Sequence, residues 1–236
     1  MVFALGMDIS NAVALVTGAN RGLGAKFAEE LVSRGARVYA GARDPGSVTV
    51  QGVTPVAIDT TDPATIAAAV QAAGDVTVLI NNAGIARDVD LLTGDIDGAR
   101  AEMDTNYFGT LAVIRAFAPV IEANGGGAIL NVLSVLSWVH AAKFGAYAAA
   151  KAAGWAMTDA LREELAPRGI HVAALHVGFM DTDMAEFVPA DQKSDPAVVA
   201  AQALDGLFAG EPEILADELT RTVRAQLSQP PQVATL

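Results

Sequence analysis

Tyr147 and Lys151 stand four residues apart in an alanine-rich segment that predicts a helix over residues 146–165. Side chains at positions i and i+4 of an α-helix share one face, so the phenol and the ammonium are expected to lie side by side. A tyrosine alone has a pKa of about 10 and is a poor acid or base near neutral pH. Because a neighbouring cation favours the phenolate and lowers that pKa, the pair is typical of a tyrosine that exchanges protons with a substrate.

Two further polar residues give this pair its meaning, because the same spacing also occurs at Tyr39 and Arg43. Ser134 ends a predicted strand thirteen residues before the tyrosine. A hydroxyl there could hydrogen-bond a substrate oxygen and stabilise the charge that develops on it. Ser137, ten residues before the tyrosine, is a weaker candidate for the same role. The second polar residue is Asn106, which lies in a predicted long helix. Taken singly, these residues would be an ordinary strand-end hydroxyl and a helix-surface amide.

A glycine-rich turn follows the first apolar run of the chain and has the sequence Thr17-Gly18-Ala19-Asn20-Arg21-Gly22-Leu23-Gly24. Glycines allow a tight turn and let the backbone approach a pyrophosphate closely, while the N–H groups that open the next helix point at the charge. The turn lies between a predicted strand and a predicted helix, which is the context that such a motif requires. It therefore predicts a dinucleotide site.

Short apolar runs alternate with helical patterns along the whole chain. Strands are predicted at residues 12–17, 37–42, 54–59, 76–81, 128–134, 170–176 and 212–217. Helices are predicted at residues 22–34, 63–73, 98–123 with a bend near Gly109, 146–165, 197–208 and 218–229. Such alternation predicts an α/β fold, a single doubly wound parallel sheet of Rossmann-like type with about seven strands and helices on both faces. We expect one domain over residues 1–236, with a substrate loop at about 177–196 and a C-terminal tail at about 218–236.

The composition excludes several other classes of protein. The 236 residues are 52% apolar, lack cysteine and carry a net charge of −12. Disorder, a disulfide framework and a cysteine nucleophile are thereby excluded, and an acidic chain is a poor ligand for nucleic acid. No apolar stretch reaches the roughly 20 residues of a membrane span, so a cytoplasmic protein is expected. No metal site is predicted, because the three histidines lack metal-ligand spacing; His171 and His176 are expected to be structural, and His140 to line the pocket.

These motifs together resemble the short-chain dehydrogenase/reductase family in its form of about 250 residues. The TGxxxGxG turn, the segment Asn81-Asn82-Ala83-Gly84 and the YxxxK pair match the family's pattern in order and in position. The resemblance implies a catalytic set of Asn106, Ser134, Tyr147 and Lys151. It gives Lys151 the further role of holding the nicotinamide ribose. It implies that Asn106 fixes a helix distortion and a water leading to the lysine.

The resemblance also implies the residues that hold the cofactor. Asp59 would contact the adenine ring, the Asn-Asn-Ala-Gly segment would lie along the nucleotide, and Met180 and Thr182 would meet the nicotinamide amide. Val177 stands where the family usually has a proline, which predicts a less rigid loop. The full predicted set is Gly18, Asn20, Arg21, Gly22, Leu23, Gly24, Arg43, Asp59, Thr60, Asn82, Ala83, Gly84, Tyr147, Lys151, Gly178, Met180 and Thr182.

The end of the second predicted strand bears on the choice between NADP(H) and NAD(H). An acidic residue there would bind a ribose 2′-OH and repel a 2′-phosphate, but the position holds Ala42, followed by Arg43. Arg43 and Arg21 are expected to converge on a phosphate through charge-assisted hydrogen bonds. Asp44 is a counter-signal, since its carboxylate could reach the same ribose. NADP(H) is therefore predicted over NAD(H).

The predicted substrate pocket is apolar. Its large side chains are expected to be Trp138, Phe144, Phe179, Met184 and Phe187, with residues 183–195 as a mobile lid. The sequence therefore predicts interconversion of a hydrophobic ketone or aldehyde with its alcohol, with Tyr147 as general acid/base. A non-catalytic nucleotide-binding sensor is the alternative, which the intact catalytic set disfavours. A small-molecule substrate and a homodimer or homotetramer are the expected partners.

Overall fold

Seven parallel strands form one sheet in the computed structural model, which describes residues 8–87 and 89–228. The strand order is β3-β2-β1-β4-β5-β6-β7. The strands are β1 Val13–Thr17, β2 Arg37–Ala42, β3 Thr54–Ala57, β4 Val78–Asn81, β5 Gly127–Val132, β6 Ile170–His176 and β7 Glu213–Leu215. The helices are α1 Gly22–Ser33, α2 Pro63–Ala72, α3 Ile96–Met103, α4 Thr110–Ala123, α5 Gly145–Leu165, α6 Pro196–Ala209 and α7 Glu218–Gln226.

Both faces of the sheet are buried, which is why its central strands read as continuous apolar runs. On one face α1 and α6 pack against the strands through side chains such as Phe27 and Leu204. On the other face α2, α4 and α5 do so through side chains such as Ile66, Phe117 and Leu161. The predicted doubly wound parallel sheet is confirmed.

The long helix predicted over residues 98–123 is interrupted. A π-helical segment, Asp104–Gly109, separates α3 from α4. Two contacts accompany it: the side chain of Asn106 bonds the main chain of Ile85, and Gly109 lies so close to Thr60 that a Cβ there would meet its side chain. A bend was expected near Gly109, and the structure places a widened helical turn that ends at this residue.

Several strands are shorter than their apolar runs. The third strand ends at Ala57, two residues before Asp59, and the fifth ends at Val132, so that Ser134 lies beyond the sheet. Both residues thereby reach loops at the carboxyl edge. The last helix begins after Asp217, whose carboxylate accepts the N–H of Thr220 at 2.8 Å, and its predicted end at Gln229 lies outside the described residues.

The order of connection reverses between β1 and β4, because β2 lies on one side of β1 and β4 on the other. In doubly wound sheets ligands bind in the crevice at the carboxyl ends of the strands at this point. No helix within residues 8–87 and 89–228 is both long and apolar enough to cross a bilayer.

Candidate active site

A cavity of about 1870 Å³ opens at that carboxyl edge. Nearly all the residues predicted to bind cofactor or substrate line it, from the glycine-rich turn to the loop after β6. Gly24 and Asn106 are the two predicted site residues that do not belong to its wall. The crevice thus brings together segments that are distant in sequence, such as those of Gly18 and Thr182.

The glycine-rich turn is preformed by close backbone packing. Gly18 has a φ of +66°, which favours glycine, and a Cβ on Gly24 would collide with the carbonyl oxygen of Gly18. The Asn82 amide donates to the carbonyl oxygens of Thr17 at 3.0 Å and Gly18 at 3.2 Å. The Thr17 hydroxyl in turn accepts the N–H groups of Asn82 and Ala83 at 3.0 and 3.1 Å. Gly24 therefore does not line the cavity itself. Its lack of a side chain allows the turn and the segment after β4 to pack together.

The wall beside Ala42 carries Arg43 and Asp59. Hydrogen bonds from the N–H and the hydroxyl of Thr61 lower the pKa of Asp59, and the charge of Arg43 adds to that effect. The Asp44 carboxylate accepts the N–H of Gly46 at 2.9 Å and caps a short 3₁₀ turn, so it is occupied locally. One oxygen of Asp44 is thereby engaged, while its negative charge stays in the cavity wall.

Arg21 lies in the wall, but its guanidinium pairs with Asp183 at 2.7 Å. That bond joins the glycine-rich turn to the loop after β6, and both side chains are mostly exposed. The expected convergence of Arg21 and Arg43 on a phosphate is therefore not the arrangement seen, since a carboxylate already occupies the Arg21 guanidinium.

Ser134 is the serine that faces the cavity. Its hydroxyl accepts the N–H of Leu136 at 3.2 Å, as the N-cap of the short 3₁₀ helix Val135–Ser137. Ser137 is buried outside the cavity wall and its hydroxyl accepts the N–H of Ser134 at 3.4 Å. The two serines therefore form a reciprocal cap in which Ser134 presents its side chain to the site and Ser137 holds its main chain.

Tyr147 and Lys151 share one face of α5, as their spacing predicts. The ammonium lies 5.5 Å from the centre of the tyrosine ring and donates to the carbonyl oxygen of Val132 at 2.8 Å. Burial lowers the pKa of Lys151 to about 8. For Tyr147, burial and the charge of Glu102 raise the pKa above its usual value, and a hydrogen bond with Ser134 opposes them. The expectation that Lys151 would lower this pKa is not met, because burial dominates; the phenol is held in its protonated form.

Asn106 acts on the main chain and not on the cavity. Its amide nitrogen donates to the carbonyl oxygen of Ile85 at 2.9 Å, and its amide oxygen accepts the N–H of Ile85 at 3.1 Å. The side chain thus ties the π-helical segment to the residues that follow Asn82-Ala83-Gly84. A water near Lys151 stays a prediction.

The substrate side of the cavity is aromatic. The rings of Phe144, Phe179 and Phe187 lie 5.9 to 6.5 Å apart in pairs, near the half-exposed Met184. Trp138 also lines the cavity but packs deeper, on His176. His140 lies in the wall as expected.

The loop after β6 is anchored without the usual proline. The Asp217 carboxylate accepts the N–H of Gly178 at 2.6 Å, and the carbonyl oxygen of Val177 accepts the N–H of Val135 at 3.0 Å. Further along, the N–H of Ser194 donates to the carbonyl oxygen of Phe179, and the carbonyl oxygen of Ser194 accepts the N–H of Asp181. These two bonds fold residues 177–196 back on themselves. The mobility of residues 183–195 stays a prediction.

Two features of the site escaped sequence reasoning. Glu102 is fully buried and accepts the N–H of Arg87 at 2.5 Å, and its charge raises the pKa of Tyr147. It lies one helical turn before Asn106, and only this spacing could have indicated from the sequence that it belongs to the site. Helix α7 forms another part of the wall, through Leu219, Val223, Gln226 and Leu227. The three apolar residues recur every four positions, a pattern that could have marked a buried face.

Comparison with known proteins gives a consistent result. The family model described as short chain dehydrogenase matches residues 12–193. The 3-oxoacyl-(acyl-carrier-protein) reductase FabG of Salmonella typhimurium is 33% identical over an alignment of 218 residues, and the match covers 88% of each chain.

Solved structures agree. A short chain dehydrogenase from Burkholderia cenocepacia in complex with NADP has a TM-score of 0.90 and 41% identity, over 94% of this chain and 95% of that chain. One from Burkholderia phymatum in complex with NAD has a TM-score of 0.85 over 98% and 99% of the two chains; at 23% identity it shows the fold alone. The chain belongs to the short-chain dehydrogenase/reductase family of oxidoreductases.

Proposed function

We propose that the protein is an NADP(H)-dependent carbonyl reductase that acts on hydrophobic ketones or aldehydes. The observation that carries this proposal is the placement of Ser134, Tyr147 and Lys151 in one wall of the cavity that the glycine-rich turn also lines, with the Lys151 ammonium 5.5 Å from the centre of the Tyr147 ring. A site that only sensed nucleotides would have no need for a protonated phenol, a hydroxyl and a buried ammonium in one wall.

The residues divide the proton chemistry between them. A bound nicotinamide cofactor would supply the hydride. The residues present fit such a cofactor, because the glycine-rich turn lines the cavity and its backbone can bind the cofactor's phosphates. Ser134 donates a hydrogen bond to the carbonyl oxygen and holds the charge that develops there. Tyr147 gives its proton to that oxygen, since a phenol is protonated at neutral pH. Lys151 stabilises the phenolate that remains, and Tyr147 is then reprotonated from solvent.

Three observations support NADP(H) over NAD(H). Ala42 provides no acid for a ribose 2′-OH, Arg43 is available in the wall, and Asp44 is engaged with Gly46. The relative from Burkholderia cenocepacia was solved with NADP. Arg21 pairs with Asp183 through one guanidinium nitrogen, and the other N–H groups of this mostly exposed side chain are proposed to reach a 2′-phosphate.

The cavity wall supports a hydrophobic substrate. Three phenylalanines, Trp138 and the apolar face of α7 surround the space next to Ser134, and such walls favour apolar ligands with one polar group. The FabG relative is named for a 3-oxoacyl substrate, which carries a ketone on an apolar chain. A homodimer or homotetramer stays the predicted assembly.

Absorbance at 340 nm tests the reaction directly. The wild type is mixed with NADPH and acetophenone, 2-octanone, decanal or ethyl acetoacetate, beside Tyr147→Phe. We expect oxidation of NADPH with at least one carbonyl, and a loss of about 10³-fold in kcat in the variant, since a positioned general acid contributes about 10²- to 10⁴-fold. NADPH binding by Tyr147→Phe should persist. No oxidation with any of the four would favour the sensor, and equal rates for both proteins would show that Tyr147 is not the general acid.

A further inference from the structure

We propose that His176 is a positioning residue for Ser134: its imidazole holds the main-chain carbonyl of that serine and links it to helix α7. The inference rests on the proposed function, in which Ser134 binds the substrate oxygen. Sequence reasoning had given His176 only a structural part.

The contact defines the form of the imidazole. His176 is fully buried at the end of β6, and its Nδ1 lies 3.2 Å from the carbonyl oxygen of Ser134. A carbonyl oxygen only accepts, so Nδ1 must carry the proton and Nε2 is the bare nitrogen of a neutral ring. Nε2 lies 3.7 Å from the nearer Glu213 oxygen and makes no hydrogen bond within the described residues.

The surroundings hold that form. The ring stacks on Trp138 with 3.8 Å between centres and meets the edge of Trp155. The charged groups that face it are Glu213 on β7, Arg224 on α7 and Lys151 on α5. Burial above all, opposed by the bond to Ser134 and aided by the two cations, lowers the pKa of His176 to about 4. The imidazole therefore stays neutral across the range in which an enzyme would work.

The bond completes the fixation of the serine. The Ser134 carbonyl also accepts the N–H of Ser137 at 2.9 Å, so two donors set its peptide plane. Beyond His176, Glu213 accepts from Arg224 at 2.6 Å, and the Arg224 guanidinium lies 5.7 Å from the centre of the Trp138 ring. A chain of contacts thus runs from the serine to α7, the helix that forms part of the substrate wall.

Two substitutions separate the donor from the ring. His176→Phe keeps an aromatic ring for Trp138 but removes the N–H, whereas His176→Asn places an amide N–H near the position of Nδ1. Trp155→Phe, which changes packing against the same ring and lies outside the cavity wall, is the matched control. With the carbonyl that the wild type reduces fastest, we expect kcat to fall at least tenfold in His176→Phe and to recover at least threefold from that value in His176→Asn. NADPH dissociation constants should stay within twofold, and Trp155→Phe should keep its kcat.

A second readout does not need turnover. Long-range ¹H–¹⁵N spectra of the imidazoles, assigned with His176→Asn, should show His176 with its proton on Nδ1 and no titration between pH 6 and 9. A proton on Nε2, a titration near pH 6.5, a His176→Phe variant with wild-type kcat, or a His176→Asn variant as impaired as His176→Phe overturns the proposal. Failure of the proposed function looks different: the wild type itself would then oxidise no NADPH, while the imidazole spectra would still report the proton position of His176.

Discussion

The two halves of the cavity, one proposed to bind the cofactor and the other the substrate, are built by different means. The cofactor half is shaped by backbone: Gly18 and Gly24 allow the close approach, and Thr17 and Asn82 lock the turn to the segment after β4. The substrate half is shaped by side chains from four separate segments, the turn after β5, the start of α5, the loop after β6 and helix α7.

This difference decides how each half responds to change. A site formed by closely packed backbone tolerates few substitutions at its glycines, because an added Cβ would clash with neighbouring atoms. A wall of loosely packed aromatic and aliphatic side chains can be reshaped one residue at a time, with a small effect for each. Substitutions in the two halves should therefore differ in size and in the parameter that they change.

The largest effect is expected in the cofactor half, from Gly24→Ala. The added methyl group would collide with the Gly18 carbonyl oxygen and the Asn82 amide, so the turn must open. We expect the NADPH dissociation constant, measured by isothermal titration calorimetry, to rise at least about 100-fold, the loss of roughly 3 kcal/mol of binding. A matched change in open space, Gly125→Ala, should leave binding unchanged; there a Cβ meets no atom within 4 Å, and only the positive φ of Gly125 costs stability.

Lys151, where the two halves meet, should show a conflict between stability and activity. Its folded-state pKa of about 8 lies below the ordinary value of 10.5, so the buried cation destabilises the fold below pH 8, and the cost disappears as the pH rises from 8 to 10.5. Lys151→Met should therefore raise the free energy of unfolding at pH 7 by about 2 kcal/mol, after loss of the hydrogen bond to Val132. Urea unfolding at pH 7 measures the gain in the free energy of unfolding, and the same measurement at pH 10 tests whether that gain becomes smaller. A Lys151→Met variant less stable than the wild type at pH 7 would contradict this prediction.

A smaller and more selective effect is expected from Arg43→Ala. Loss of a charge-assisted hydrogen bond costs about 1.5 to 3 kcal/mol, so the NADPH dissociation constant should rise about 10- to 100-fold. That for NADH should change less than about twofold. Equal losses for both cofactors would show that Arg43 does not read the 2′-phosphate.

The smallest effect is expected from the substrate half. Val223→Ala removes two methyl groups from the α7 part of the wall. We expect KM for 2-octanone to rise about threefold to tenfold, at about 0.8 kcal/mol for each methylene-sized group, with an unchanged NADPH dissociation constant. Steady-state kinetics with 2-octanone and acetone would show it. A Val223→Ala variant that bound NADPH more weakly would mean that α7 supports both halves.

The same contrast explains what could be predicted from the sequence. The alternation of apolar runs and helical patterns led to the fold, and the glycine-rich turn marked the cofactor half, because both are local patterns. The family resemblance implied a helix distortion at Asn106, but its π-helical form could not be predicted, since it accompanies contacts of Asn106 with Ile85 and of Gly109 with Thr60, which are distant in sequence.

The substrate half and the electrostatics were harder to predict. The pairing of Arg21 with Asp183 joins residues 162 positions apart, and no pattern announces it. The raised pKa of Tyr147 follows from its depth and from Glu102, neither of which the Tyr–Lys spacing reveals. The apolar residues of helix α7 recur every four positions, so its buried face could be predicted. Its position in the cavity wall could not, because that depends on how the chain after β7 places α7 at the carboxyl edge of the sheet.

In the proposed reaction, hydride moves within this cavity from a nicotinamide to a carbonyl carbon. The most direct measurement uses the two NADPH isotopomers deuterated at C4, with the carbonyl that the wild type reduces fastest, and mass spectrometry of the alcohol. We predict that one isotopomer places a single deuterium on the carbinol carbon and the other places none, and that Tyr147→Phe forms neither product at a comparable rate. An alcohol without deuterium from both isotopomers, or labelled equally by both, would contradict direct transfer in a site of fixed geometry.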